Sequence, residues 1–149
     1  MLASMDAGGM GPCLAVEGPT TKEVFEVYLE RVLSPSLESG RIVVMDNLSS
    51  HKGPRVRELI EGRGCELIYL PPYPPDLNPI DEAFAKAFAK LKALLRKSGA
   101  RSREALTEAT GRALKALTAK DARSLIEHRG YPVLRPNYYD RRSMYYSGV

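Results

Sequence analysis

Apolar positions fall into short blocks whose spacing changes along the chain. Leu2 to Met5 and Cys13 to Glu17 are brief apolar runs divided by Gly8, Gly9 and Gly11, and they predict a hairpin with a glycine turn. Thr20 or Thr21 then caps a helix whose first turn carries Glu23 and whose apolar face is Val24, Phe25, Tyr28, Leu29 and Val32. Ser34-Pro35-Ser36 ends it, since proline cannot continue the backbone ladder. Ile42 to Met45 is apolar, β-branched and too short for a helix, so it predicts a buried strand. After the polar loop Asp46 to Gly53, Pro54 opens a helix with Val56, Leu59 and Ile60 inward, and Gly62 and Gly64 close it. Glu66 to Leu70 is the next strand, and strand–helix–strand order argues for parallel pairing.

Helical spacing resumes from Asp81 to about Lys97, with Phe84, Phe88, Leu91 and Leu95 in one stripe. A further helix over Glu104 to Leu117 carries Leu106, Ala109, Ala113, Leu114 and Leu117 inward. Another runs from Ala119 to His128 behind a Thr118 cap. Residues 131–149 are rich in Tyr, Arg and Pro and have no period. The order predicts an α/β fold, a mixed sheet flanked by helices, over residues 1–130, followed by a C-terminal tail. That tail is expected to fray or to dock on a partner.

The 149 residues suit one domain, and no apolar run reaches the roughly 18 residues of a membrane span. Cys13 and Cys65 stand apart, outside any metal-ligand spacing, and two free thiols agree with a reducing cytoplasm. The net charge of +4 points only weakly to nucleic acid. Its distribution says more. Lys86 to Arg103 holds seven basic residues and no acid, and Lys86, Lys90 and Lys97 lie opposite the Phe84 stripe. Such a face is either solvated or a sequence-independent contact for phosphates.

Two carboxylates carry the candidate chemistry. Asp46 ends the run Arg41-Ile-Val-Val-Met-Asp46, and Asp81 follows the proline loop Leu70-Pro-Pro-Tyr-Pro-Pro-Asp-Leu-Asn-Pro-Ile-Asp81, with thirty-four residues between them. Hard divalent cations take oxygen ligands, and a metal pair only ~4 Å apart needs carboxylates converging from separate elements. A strand end and a helix start meet that need. Each Asp also has an ordinary structural reading, as a strand-end cap or as a charge favoured at a helix start. Glu82 competes with Asp81. On a wheel of ~100° per residue, Asp81 falls about 60° from Phe84 and Glu82 about 160°, which favours Asp81. His51 has two readings of equal weight, orienting water or phosphate near metals, or bonding loop backbone. Asn47 and Asn78 are second-shell or turn candidates.

With Asp46-Asn-Leu-Ser-Ser-His51 and the Leu70 to Asp81 loop in view, the chain resembles the C-terminal part of a bacterial insertion-sequence transposase of the mariner superfamily. The resemblance implies an RNase H-like catalytic domain with an acidic triad. In that pattern the second acid ends the fourth strand, and the third starts a helix after a Pro-Tyr-Ser-Pro-x-Leu-Asn-Pro-Ile loop. Asp46 and Asp81 match those two acids. The resemblance further implies two Mg²⁺ ions, with Mn²⁺ as a substitute, and DNA as partner and substrate. Pro74 replaces the usual loop Ser. The central strand bearing the first acid is expected upstream of Leu2, as is the helix-turn-helix region. Asp6 and Glu17 are the acids of the hairpin, and neither sits in that strand. Two readings follow. One is a catalytic-domain fragment needing an upstream transposase fragment or oligomeric partner. The other is a non-catalytic product that binds DNA or full-length transposase. A missing central strand also predicts either weak folding of the chain alone or a sheet repaired by sliding the hairpin against the strand ending at Asp46.

Overall fold

The computed structural model describes residues 1–70, 79–99, 101–127 and 144–145, with backbone alone at 79–84, 103, 125–126 and 144–145. The chain divides into two compact units. One comprises Met1–Asp6, Gly11–Pro74 and Leu134–Val149, the other Ala7–Met10 and Pro75–Val133. The fold is mixed α/β, as the periodicity predicts, with small sheets and five α-helices among the described residues.

The first unit is built on Ile42–Met45 (β3), which pairs in parallel with Glu66–Tyr69 (β4, numbered in chain order), Val43 opposite Leu67 and Met45 opposite Tyr69. Pro54–Glu61 (α2) connects them. Its predicted inner face is the observed one, with Val56 and Ile60 fully buried. Gly64 ends the connection at φ +72°, a left-handed turn that suits glycine, and its N–H bonds to the Glu61 carbonyl. Lys22–Tyr28 (α1) is capped by Thr21, whose hydroxyl accepts from the Val24 N–H. This cap also holds the Glu23 carboxyl below its usual range. The helix then widens to a π-turn over Leu29–Leu33 and tightens to a 3₁₀ turn at Ser34–Ser36. The change falls where Pro35 removes a rung of the ladder. Phe25, Tyr28, Leu29 and Leu33 meet Leu2, Val43, Met45, Val56 and Ile60 in one core. The Tyr28 hydroxyl is buried there, donates to the Pro12 carbonyl at 2.9 Å, and has its pKa raised by loss of solvent.

Two strands differ from expectation. Leu2–Asp6 (β1) pairs with Gly9–Leu14 (β2), so the second hairpin strand starts earlier than Cys13. Gly11 is a strand residue: a Cβ there would fall 2.4 Å from the Ser4 hydroxyl oxygen, so glycine serves close strand approach rather than the turn. The second difference is the neighbour of β3. The hairpin does not pair with it. Met144–Tyr145 (β5) does, in parallel, with Ile42 opposite Met144 and Val43 opposite Tyr145. An unpaired strand edge needs a partner for its N–H and C=O groups, and here a segment from the aperiodic tail supplies one. β3 is therefore the middle strand of a three-stranded sheet.

In the second unit, Pro79–Ser98 (α3) packs against Arg103–Lys115 (α4) and Ala119–Glu127 (α5). Ser102 caps α4, and the Thr118 hydroxyl accepts from the Asp121 N–H at the start of α5. Among the described residues, Ala87, Ala109, Ala113 and Ala122 are buried beside Leu91 and Leu117, with Ala109 and Ala113 inward as the spacing predicts. Small side chains let helix axes approach closely. Leu106, expected to face inward, is exposed, because the contact face of α4 runs through the alanines.

Candidate active site

Asp46 stands at the carboxyl end of the middle strand. Parallel strands leave backbone groups and side chains converging at that end, the usual place for ligands in open α/β sheets. Asp46 is nearly buried, its side chain 10% exposed. Its Oδ1 accepts from the Leu48 backbone N–H at 3.2 Å and is in contact with His51 Nδ1. His51 belongs to a 3₁₀ turn, Ser49–His51, closed by its N–H bond to the Leu48 carbonyl. That turn folds the imidazole back under the strand end, where it stacks on Phe25 with centroids 4.0 Å apart. The Tyr69 hydroxyl, at the end of β4, donates to the His51 carbonyl at 2.7 Å. Partial burial raises the Tyr69 pKa. The strand end and the loop after it are thus tied together by three elements, α1, β3 and β4.

Of the predicted site residues, Asp46, Asn47 and His51 are brought together in this loop, with Asn47 half-buried. Asp81 and Glu82 lie in the first turn of α3, behind Pro79 at its start, and their side chains are outside the described residues. Asn78 and the loop position Pro74 fall wholly outside them. Lys86, Lys90 and Lys97 are exposed on α3. Lys90 is engaged within the helical unit, its Nζ 2.8 Å from Asp121 Oδ2. That ammonium, with help from Thr118, holds the Asp121 carboxyl down to about 2. The sequence carries no signal for this pair, since thirty-one positions separate its members.

Asp6 does not stand beside Asp46. It pairs with Arg41 at 3.5 Å, and Arg41 precedes β3 while Asp46 follows it. At ~3.3 Å per residue the strand separates the two ends by about 16 Å. Among the described residues no group of three His, Cys, Asp or Glu side chains is placed to hold a metal. What Asp46 offers is a hard oxygen donor with a fixed orientation, which fits Mg²⁺ or Mn²⁺ as part of a larger ligand set. No helix among the described residues is long and apolar enough to cross a membrane. Cys13 is half-buried and Cys65 buried, and both are free thiols.

The transposable element Tcb1 transposase of Caenorhabditis briggsae is 26% identical over 135 residues, covering 83% of this chain and 49% of the relative. The chain thus spans about half the length of the curated relative it matches. Residues 1–107 match the family model described as DDE superfamily endonuclease, a family whose chemistry depends on divalent metal. With that match running from β1 through α3 into α4, the chain belongs to the DDE superfamily endonucleases.

Proposed function

We propose that this chain forms part of a transposase catalytic domain of the mariner type, in which Asp46 and Asp81 are two of the three carboxylates that hold divalent metal for phosphodiester cleavage and strand transfer. The observation that carries this reading is the placement of Asp46. It is a nearly buried carboxylate at the end of the middle strand, already held by an N–H and an imidazole. When bound, a pair of Mg²⁺ ions supplies Lewis-acid stabilisation of phosphoryl charge during in-line displacement. The chain's own contribution is positional. β3 and the 3₁₀ turn fix one carboxylate, and Asp81 lies in the first turn of α3. Asn47 and Asn78 are assigned supporting roles beside the two acids.

The basic face of α3 is assigned to the DNA backbone, where it supplies affinity without reading sequence. Replacing Lys86, Lys90 and Lys97 together with Ala is expected to weaken binding to all sequences and to flatten its salt dependence by up to about 0.9 log unit per lost phosphate contact. Lys90→Ala alone is expected to change the slope less than Lys97→Ala, because Asp121 already balances the Lys90 charge. Fluorescence anisotropy on two unrelated duplexes over a salt series reads both effects, and an unchanged slope in the triple variant removes the DNA role.

A second reading is favoured by Asp6, which is paired with Arg41 at the opposite end of β3 from Asp46. In that reading this stretch binds DNA or full-length transposase and does not cut. The two are separated by a cleavage assay with Mg²⁺. The chain alone is expected to leave a supercoiled plasmid intact, and adding an upstream transposase segment that carries a first acid is expected to produce nicking. Robust nicking by the chain alone contradicts the need for that segment, and no nicking in either case favours the binding role.

A further inference from the structure

The imidazole of His51 has more structural support than a loop residue needs, and one of its atoms is poorly served. The ring is 0% exposed, lies against Phe25 at 4.0 Å, and its backbone is tied at both ends, by the Leu48 carbonyl and the Tyr69 hydroxyl. Its Nδ1 meets Asp46 Oδ1. An ionised carboxylate only accepts, so Nδ1 carries the hydrogen of that bond. Its Nε2 is buried with no hydrogen-bond partner among the described residues. A buried polar atom without a partner lowers stability, and an apolar side chain in the same space avoids that cost. For the core alone, then, histidine is a poor choice here. What it supplies that an apolar ring lacks is a donor aimed at one oxygen of Asp46.

We propose that His51 is a positioning residue for Asp46. Through Nδ1 it holds the carboxylate in the single orientation in which Oδ1 also accepts from the Leu48 N–H, and so presents it ready-oriented to a divalent cation. The Phe25 stack and the Tyr69 bond keep the ring itself from moving. The proposal deepens the reading of Asp46 as a metal ligand and rests on it for the cation. The orientation of the carboxylate is a property of the metal-free chain.

The test uses the full chain and Mn²⁺ alone as probe. Paramagnetic broadening of the Leu48 amide signal during an Mn²⁺ titration gives an apparent affinity, and exchange protection of the same amide without metal reports its bond to Asp46. His51→Asn places an amide nitrogen where Nδ1 stands. It is expected to keep both readouts within about threefold of the parent. His51→Leu is expected to weaken Mn²⁺ binding 10- to 100-fold, the usual cost of removing a partner that orients a ligand. It should also lose Leu48 protection while leaving the thermal midpoint no lower. If His51→Leu fails to fold, His51→Gln takes its place, since its amide reaches one bond too far. Equal affinity and equal Leu48 protection in the Asn variant and in the Leu or Gln variant overturn the proposal. If Asp46→Asn leaves the broadening unchanged, Asp46 is not the ligand and the metal reading fails. The Leu48 protection of the His51 variants still decides whether His51 positions the carboxylate.

Discussion

Asp46→Asn is expected to lower Mg²⁺-dependent cleavage by the reconstituted enzyme at least about a hundredfold. Removing mere partners of metal ligands commonly costs 10- to 100-fold, and in the proposed site this change removes a ligand's charge. The substitution is nearly isosteric. Asn retains an oxygen that accepts from the Leu48 N–H, so the loop after β3 keeps one of its ties. Folding and DNA binding are therefore expected to stay close to the parent, while chemistry is lost. The basic residues of α3 are elsewhere in the chain and are untouched. The comparison is made in the mixture of this chain with the upstream segment, where cleavage is scored by plasmid nicking and binding by anisotropy. A variant that cuts as fast as the parent contradicts the ligand role of Asp46, whatever its fold.

The largest effect on stability is expected at Phe25. The ring is fully buried, faces His51 at 4.0 Å and lies 6.5 Å from the Tyr28 ring. Phe25→Ala removes a large apolar surface and leaves a cavity under the Asp46 loop, at a cost of about 3–5 kcal/mol. Against a typical domain stability of about 5–15 kcal/mol, that is enough to populate the unfolded chain. Phe25→Leu keeps most of the volume and is expected to cost much less. Urea unfolding followed by far-ultraviolet circular dichroism measures both. A loss below about 1 kcal/mol for the alanine variant shows that α1 does not support the strand end as described.

Much of this arrangement is legible from the residues in order. Ile42 to Met45 reads as a buried strand because parallel strands covered on both faces are continuously apolar, and β3 has that burial. Proline at 54 marks a helix start because a first turn has no use for the missing N–H. Legibility fails where contact depends on tertiary placement. Gly11 reads as turn and is strand, because the reason for glycine there is Ser4 on the neighbouring strand. Leu106 reads as core and is exposed, because α4 turns its alanines to α3. Two paired residues at Met144–Tyr145 are too few to show a period. The site follows the same rule. Asp46 is visible as the end of a strand, whereas the contact from His51 requires the 3₁₀ turn that brings a residue five positions later beneath it.

The claim at the centre of this account is that Asp46 and Asp81 serve one metal site from two elements. A crystal structure grown with Mn²⁺, with data collected at a wavelength where manganese scatters anomalously, tests it without reference to activity. The account predicts an anomalous peak with carboxylate oxygens of both residues in its coordination shell. It predicts further that Asp46 is still in contact with His51 through Oδ1. Asp46 and Asp81 on opposite faces of the sheet, or manganese bound to one and distant from the other, contradict it.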